Sequence, residues 1–334
     1  VTLANLPSPV ERLKRLEAQL GIGELYVKRD DISALPYGGG KPRKLEFLFG
    51  EAKALGRSRV VSWGSVGSNQ AVAVAAHAPR VGLEATLLLL PQQPSPQIRA
   101  NLVSDLAFGA ELLFVSSQGE AAQRAERLAR LEGAQRAYSI AMGGSSPLGN
   151  MGFVNAAFEL DEQIDAGELS EPDVIYLAMG TMGSAVGLAI GLGVCERQTT
   201  VVAVRASNPS TSSQSAFRAL FDRTVEFIRA RDPSFPVLSF EQVRVRFEGN
   251  QLGKGYGRAT AASQQAVART KSMPQLQLET TYTGKAFAAL VADAPTLADA
   301  RVLFWNSHNS HPLPTVERPE ERVPNALKGY LRAH

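Results

Sequence analysis

Lys41 follows three glycines, Gly38-Gly39-Gly40, and is followed by Pro42-Arg43-Lys44. This order predicts a helix that opens at Lys41. Proline is favourable just inside a helix start, where its missing N–H costs nothing, and the helix N-terminus supplies partial positive charge. Lys41 and Lys44 are three residues apart and share a face. A neighbouring cation lowers a lysine's pKa, which favours action as a nucleophile or Schiff-base amine. The same residues also describe a glycine turn with a solvated basic first turn.

Two further loops have the composition of anion sites. Gly180-Thr181-Met182-Gly183-Ser184 lies between an apolar run at 174–178 and an apolar helix at 186–192. Backbone N–H groups and hydroxyls at such a junction suit a phosphate, and an ordinary βα turn has the same composition. The loop lacks the Gly-Lys-Ser/Thr ending of a nucleotide P-loop. Ser68-Asn69-Gln70 follows the 59–63 run and the loop Gly64-Ser65-Val66-Gly67. Capping the next helix is enough to explain it, and a ligand carboxylate held at that helix start is the functional reading. Tyr256 stands between Gly255 and Gly257, and Tyr282 precedes Thr283-Gly284-Lys285 and an apolar helix. Taken singly, tyrosines are mostly core or interface residues. The histidines, His77, His308, His311 and His334, show no metal spacing with acidic partners, so no metal is expected. No Gly-x-Ser-x-Gly elbow anchors a hydrolase triad.

These loops need a scaffold, and the pattern supplies one. Strands are predicted at 25–28, 59–63, 85–90, 111–115, 174–178, 200–204 and 302–305. Helices are predicted at 44–55, 97–108, 119–131, 149–164 and 212–230. Strands alternating with helices imply parallel sheets and βαβ units, with ligands at the carboxyl ends of strands. Seams are expected near 38–41 and at the glycine-rich stretch 142–149, with a small α/β domain between them and a cleft against the larger remainder.

Composition narrows the classes. The 334 residues are 44% hydrophobic and 20% charged, which suits a folded globular chain of two domains or one large α/β unit. The single Cys195 excludes a disulfide framework and a cysteine zinc site. With 35 basic against 32 acidic residues and no basic cluster beyond 41–44, no nucleic-acid partner is expected. No apolar stretch reaches membrane-spanning length, and no leader is read in the first residues.

Taken together the motifs fall in a known order. Gly38-Gly39-Gly40-Lys41-Pro42-Arg43-Lys44-Leu45-Glu46-Phe47 resembles the Gly-Gly-Asn-Lys-x-Arg-Lys-Leu-Glu stretch of the D-cysteine desulfhydrase and 1-aminocyclopropane-1-carboxylate (ACC) deaminase family. The resemblance continues through Gly67-Ser68-Asn69-Gln70, Gly143-Gly144-Ser145, the 180–184 loop, Gly255-Tyr256-Gly257 and Tyr282-Thr283-Gly284-Lys285-Ala286. It covers almost the whole chain. It implies a two-domain α/β fold of type II among pyridoxal 5'-phosphate (PLP) enzymes, similar to tryptophan synthase β. Open, mostly parallel twisted sheets would hold the cofactor in the interdomain cleft. Residues 1–44 and 150–334 would form the large domain and 45–149 the small one.

By the same resemblance Lys41 would bind the cofactor covalently and serve as the base. Lys44, Gly180, Thr181, Met182, Gly183 and Ser184 would hold its phosphate, and Asn69 its ring oxygen. Ser68 and Gln70 would meet the substrate carboxylate, with Ser68 also a proton shuttle. Tyr256 and Tyr282 would face the substrate. Thr283 or Ser307 would partner the pyridine nitrogen, since nothing acidic lies in Tyr282-Thr283-Gly284 or Asn306-Ser307-His308-Asn309. The implied activity is α,β-elimination on a small β-substituted amino acid by a cytoplasmic homodimer. ACC deamination and β-replacement are alternatives. A catalytically idle binding protein for PLP or amino acids is the reading from another class. The sequence departs from the family pattern at Gly40, at Thr283, at 306–309 and at Ala71-Val72-Ala73. That last run implies a more apolar pocket wall, and Thr283 argues against ACC ring opening.

Overall fold

The computed structural model describes residues 1–131 and 136–332. The chain opens with β1 (Val10–Arg12), α1 (Lys14–Leu20) and β2 (Glu24–Lys28). Helix α2 (Lys41–Ala54) leads into β3 (Arg59–Ser65), α3 (Asn69–His77), β4 (Glu84–Leu90), α4 (Pro96–Ala107), β5 (Glu111–Phe114), α5 (Gln118–Ala129) and β6 (Ala137–Ile140). Helix α6 (Pro147–Asp165) precedes β7 (Val174–Met179), α7 (Gly183–Val194), β8 (Thr200–Arg205), α8 (Gln214–Arg229) and β9 (Val245–Glu248). Then come α9 (Ala261–Thr270), α10 (Thr283–Asp293), β10 (Arg301–Trp305) and the short α11 (Pro319–Arg322).

The strands form two sheets. The larger runs β1-β2-β10-β7-β8-β9 and the smaller β5-β4-β3-β6. Only β1 pairs antiparallel; the other neighbours in both sheets are parallel. Inner strands of a parallel sheet are covered on both faces and therefore read as continuous apolar runs. In β4, residues Ala85, Thr86, Leu87, Leu88 and Leu89 are all buried. Strands β1, β6 and β9, absent from the sequence reading, are short edge strands whose runs are too brief for the pattern to register. Helices α1, α9 and the short α11 also lie outside the predicted helices.

Apolar layers cover each sheet on both faces. On the small sheet, α2, α3 and α4 bury Leu45, Phe49, Val72 and Leu102, and the C-terminal segment adds Val323 and Leu327. Ala71, Val72 and Ala73 belong to this layer and do not line the cleft, so the expected apolar wall is corrected: these residues face inward as core. On the large sheet, α6, α7 and α8 cover one face and α1, α9 and α10 the other.

One contact governs the site. Helix α7 is apolar all round and packs on α6. A Cβ at Gly187 would lie 2.4 Å from the Asn150 carbonyl, and one at Gly191 2.4 Å from Ala157 Cβ. The two glycines let the helix axes approach, which brings the loop before α7 against the loop before α6. The expected seam at 142–149 is partly helical: Ser146 caps α6 by accepting from Gly149 N at 3.1 Å. No helix among the described residues is long and apolar enough to cross a membrane.

Candidate active site

The carboxyl ends of β3, β7, β8 and β10 open onto one cavity of about 280 Å³ between the two sheets. This is where strand ends in open α/β sheets meet ligands. Lys41, Lys44, Ser68, Asn69, Gln70, Gly180, Thr181, Met182, Gly183, Ser184, Tyr256, Tyr282, Thr283 and Ser307 all line it. The structure thus brings together every residue the sequence singled out for the site.

Lys41 is set by the glycine turn before it. A Cβ at Gly38 would sit 2.2 Å from the Asp31 carbonyl, and Gly39 has φ 88°, so neither position takes a side chain without strain. Gly38 N donates to Asn309 Oδ1 at 2.7 Å and Gly40 N to the Ser307 carbonyl at 3.2 Å. The unusual 306–309 segment is therefore what holds the turn. At Gly40 a Cβ would lie 2.8 Å from the Phe153 ring and 3.4 Å from Ser307 Cβ. Behind the first turn, buried Arg43 binds Asp30 and Glu159, each at 2.8 Å, and Trp305 Nε1 donates to Asp30 Oδ2 at 2.8 Å. These ion pairs fix the rotation of α2, which turns Lys41 and Lys44 toward the cleft.

Burial lowers the Lys41 ammonium to about 8. The sequence reading assigned this effect to a nearby cation; desolvation is the cause, and the correction matters because it survives neutralisation of Lys44. Lys44 is pushed well below the usual lysine range, first by burial and second by Lys41. Among the described residues its Nζ reaches only neutral oxygens, the Gly143 carbonyl at 3.3 Å and Ser145 Oγ at 3.2 Å. A buried cation without an acidic partner is costly unless an anion joins it.

The anion has a cradle. Ser145 Oγ lies 2.7 Å from Thr181 Oγ1 and accepts from Gly183 N at 3.2 Å. Met182 has φ 68°, a left-handed residue that turns the chain into α7. A Cβ on Gly183 would meet Lys44 Nζ at 2.8 Å. Buried ammonium, two hydroxyls and a helix start form a donor set for a phosphate. Pyridoxal phosphate fits these residues, with Lys41 one helical turn from the cradle.

Across the cleft, Ser68 caps α3 by accepting from Ala71 N at 3.3 Å, which leaves its own O–H to donate. Asn101 Nδ2 donates to Asn69 Oδ1 at 3.1 Å, which leaves the Asn69 amide nitrogen to donate into the cavity. Both polar side-chain atoms of buried Gln70 lack a partner among the described residues, as expected of a ligand contact. Tyr282 O–H donates to Tyr256 Oη at 3.0 Å, and its ring lies over Gly180, where a Cβ would be 3.1 Å away. Burial raises both phenols, so they stay protonated at neutral pH.

Sequence reasoning missed Glu279. It lines the cavity, and its carboxylate accepts from Thr281 N at 2.7 Å, Tyr282 N at 2.7 Å and Thr283 N at 2.9 Å. An acid therefore does sit beside Thr283, turned onto the amides that start α10. Thr283 Oγ1 accepts from Glu279 N at 3.1 Å and donates to Glu279 Oε1 at 3.4 Å, so that hydroxyl is engaged. Ser307 faces the cavity with its hydroxyl free of such a contact. His308 also lines it, held neutral chiefly by burial. Among the described residues no group of three or more His, Cys, Asp or Glu is placed to hold a metal. His334 lies outside the described residues.

The chain is similar to known proteins. The family described as pyridoxal-phosphate dependent enzyme matches residues 1–307. A Pyrococcus abyssi protein provisionally named a 1-aminocyclopropane-1-carboxylate deaminase is 30% identical over 87% of this chain and 85% of its own. The D-cysteine desulfhydrase of Salmonella schwarzengrund is 30% identical over 86% of each chain. A crystal structure of an ACC deaminase homologue superposes with TM-score 0.80 at 28% identity, covering 92% of this chain and 91% of that one.

Proposed function

The chain belongs to the pyridoxal-phosphate dependent enzyme family, and on that premise we propose that it catalyses α,β-elimination on a small β-substituted amino acid, releasing the leaving group and an enamine that water converts to a keto acid and ammonia. The observation that carries this is the pairing of Lys41 with a buried, acid-free Lys44 at the phosphate cradle, opposite the unpartnered amide of Gln70.

In this reading Lys41 binds the cofactor, and Lys44 with the 180–184 loop holds its phosphate. The Asn69 amide nitrogen donates to the ring oxygen. Ser307 partners the ring nitrogen, in preference to Thr283, whose hydroxyl donates to the Glu279 carboxylate. Ser68 and Gln70 receive the substrate carboxylate. Bound pyridoxal phosphate supplies an electron-withdrawing ring for the substrate's α-carbon. Lys41 Nζ, partly neutral near pH 8, takes the α-proton. The tyrosine pair donates a hydrogen bond to the β leaving group, which departs with the bonding electrons.

A hydroxyl at the ring nitrogen holds a proton there less firmly than a carboxylate does. Prompt loss of a β substituent is then favoured over cyclopropane opening. The same reading places the enzyme in the cytoplasm as a homodimer, with domains 1–44 plus 150–334 and 45–149. The two separate sheets support that division, although α2 runs unbroken across the 44/45 boundary and the C-terminal Val323 and Leu327 pack on the small sheet. The test is a screen of D- and L-β-substituted alanines and ACC for keto-acid release. Release from at least one β-substituted alanine and none from ACC is expected; rapid ACC turnover contradicts the proposal.

A further inference from the structure

Behind the tyrosine pair lies a second cavity of about 370 Å³. Asn69, Tyr256, Glu279 and Tyr282 line both cavities, which adjoin there. The second cavity also carries Lys254 and Arg258, which are exposed and have no carboxylate within 4 Å among the described residues. Glu279 makes no ion pair with either of them; its oxygens accept from the amides of Thr281, Tyr282 and Thr283.

The loop that presents these cations is anchored. Gly253, Gly255 and Gly257 have φ of 64°, 120° and 69°, a backbone path that other residues rarely follow. Buried Lys285 donates to the carbonyls of Leu252 at 2.9 Å and Gly255 at 3.4 Å. Asn208 Oδ1 accepts from Tyr256 N at 3.2 Å. A Cβ at Gly257 would lie 2.5 Å from Gln92 Nε2, while Gln92 Oε1 accepts from Gly67 N at 3.2 Å beside Ser68. Two unpaired cations are thus held on a braced loop, beside the residues at which the second cavity adjoins the substrate pocket.

We infer that the second cavity is a subsite for an anionic group at the far end of the substrate's β-substituent: a sulfonate, phosphate or carboxylate bound by Lys254 and Arg258. This rests on the reading that the first cavity holds an amino acid. A substrate so built places its α-carboxylate at Ser68 and Gln70, its Cβ at the tyrosine pair and its distal anion beyond it. Neutral β-substituents leave the two cations without a partner.

Calorimetric titration of the holoenzyme with 3-sulfopropanoate and with butanoate tests the subsite. Neither probe has an amine, so neither reacts. The wild type is expected to prefer 3-sulfopropanoate by roughly tenfold or more, the size of one charge-assisted contact. The double variant Lys254→Met/Arg258→Met is expected to lose that preference. Both side chains are exposed and unpaired, so the variant keeps its fold. Equal binding of the two probes by the wild type, or a preference that survives in the variant, overturns the inference. Keto-acid release from β-chloroalanine and from cysteate is measured alongside. Elimination without the sulfonate preference sinks the subsite and leaves the lyase reading standing. The preference, lost in the variant, without any elimination sinks the lyase reading and leaves the anion subsite standing.

Discussion

Lys44→Met inverts the usual sign of a binding-site substitution. In the protein without cofactor, Lys44 Nζ is buried against two neutral oxygens at 3.2 and 3.3 Å, with no acid to balance it. Methionine fills similar space, next to the Phe153 ring 5.9 Å away, and needs no partner. Removing an uncompensated buried polar group recovers about 1–3 kcal/mol. Stripped of pyridoxal phosphate, the variant therefore melts about 2–6 °C above the wild type, at roughly 2 °C per kcal/mol. The cofactor-bound state moves the other way. Losing one charge-assisted contact to a phosphate costs about 1.5–3 kcal/mol, a roughly 10- to 150-fold weaker Kd. Thermal melts of stripped protein and equilibrium dialysis of pyridoxal phosphate read the two arms. The pH dependence adds a third. Lys44 titrates lower folded than unfolded, so the unfolded chain binds more protons and stability rises with pH toward the unfolded value near about 10.4. The variant loses that share of the slope. A stripped variant no more stable than the wild type, or one that retains wild-type cofactor affinity, refutes this account of the cradle.

Lys41 has the same sign with a defined window. Its folded value of about 8 against about 10.4 unfolded corresponds to about 3 kcal/mol, withheld below pH 8 and recovered as pH rises toward 10.4. Only the neutral amine attacks an aldehyde, so the rate of cofactor uptake rises with pH through a midpoint near 8. A stopped-flow pH series measures it, and a midpoint above 10 contradicts the burial. Glu279→Ala leaves three amides at the start of α10 without their carboxylate. It is expected to lower stability by about 2–4 kcal/mol and to weaken substrate binding through Tyr282. Denaturant midpoints check the first and inhibitor titration the second.

The scaffold was legible because buried parallel strands and their helices leave long, strongly patterned runs. The site was legible where a local rule applied: Gly38-Gly39-Gly40 before Lys41, Ser68 at a helix cap, the hydroxyl-rich loop before α7. Residues that act across the fold carried no such signal. Asn101 orients Asn69 from the middle of α4, Asn309 holds Gly38 from 271 residues away, and Glu279 caps α10 from an irregular segment. Their sequence neighbourhoods are ordinary, and only tertiary placement gives them a role. The run Ala71-Val72-Ala73 misled for the same reason. Its composition was read as a pocket wall, whereas the rotation of α3 set by the Ser68 cap turns it into the core.

The central claim is that Lys41 bears the cofactor. Borohydride reduction of the holoprotein, followed by peptide mass mapping, tests it directly. The account predicts one pyridoxyl group, on the peptide containing Lys41 and on that residue. A pyridoxyl group on Lys44 or Lys285, or on no lysine, contradicts it.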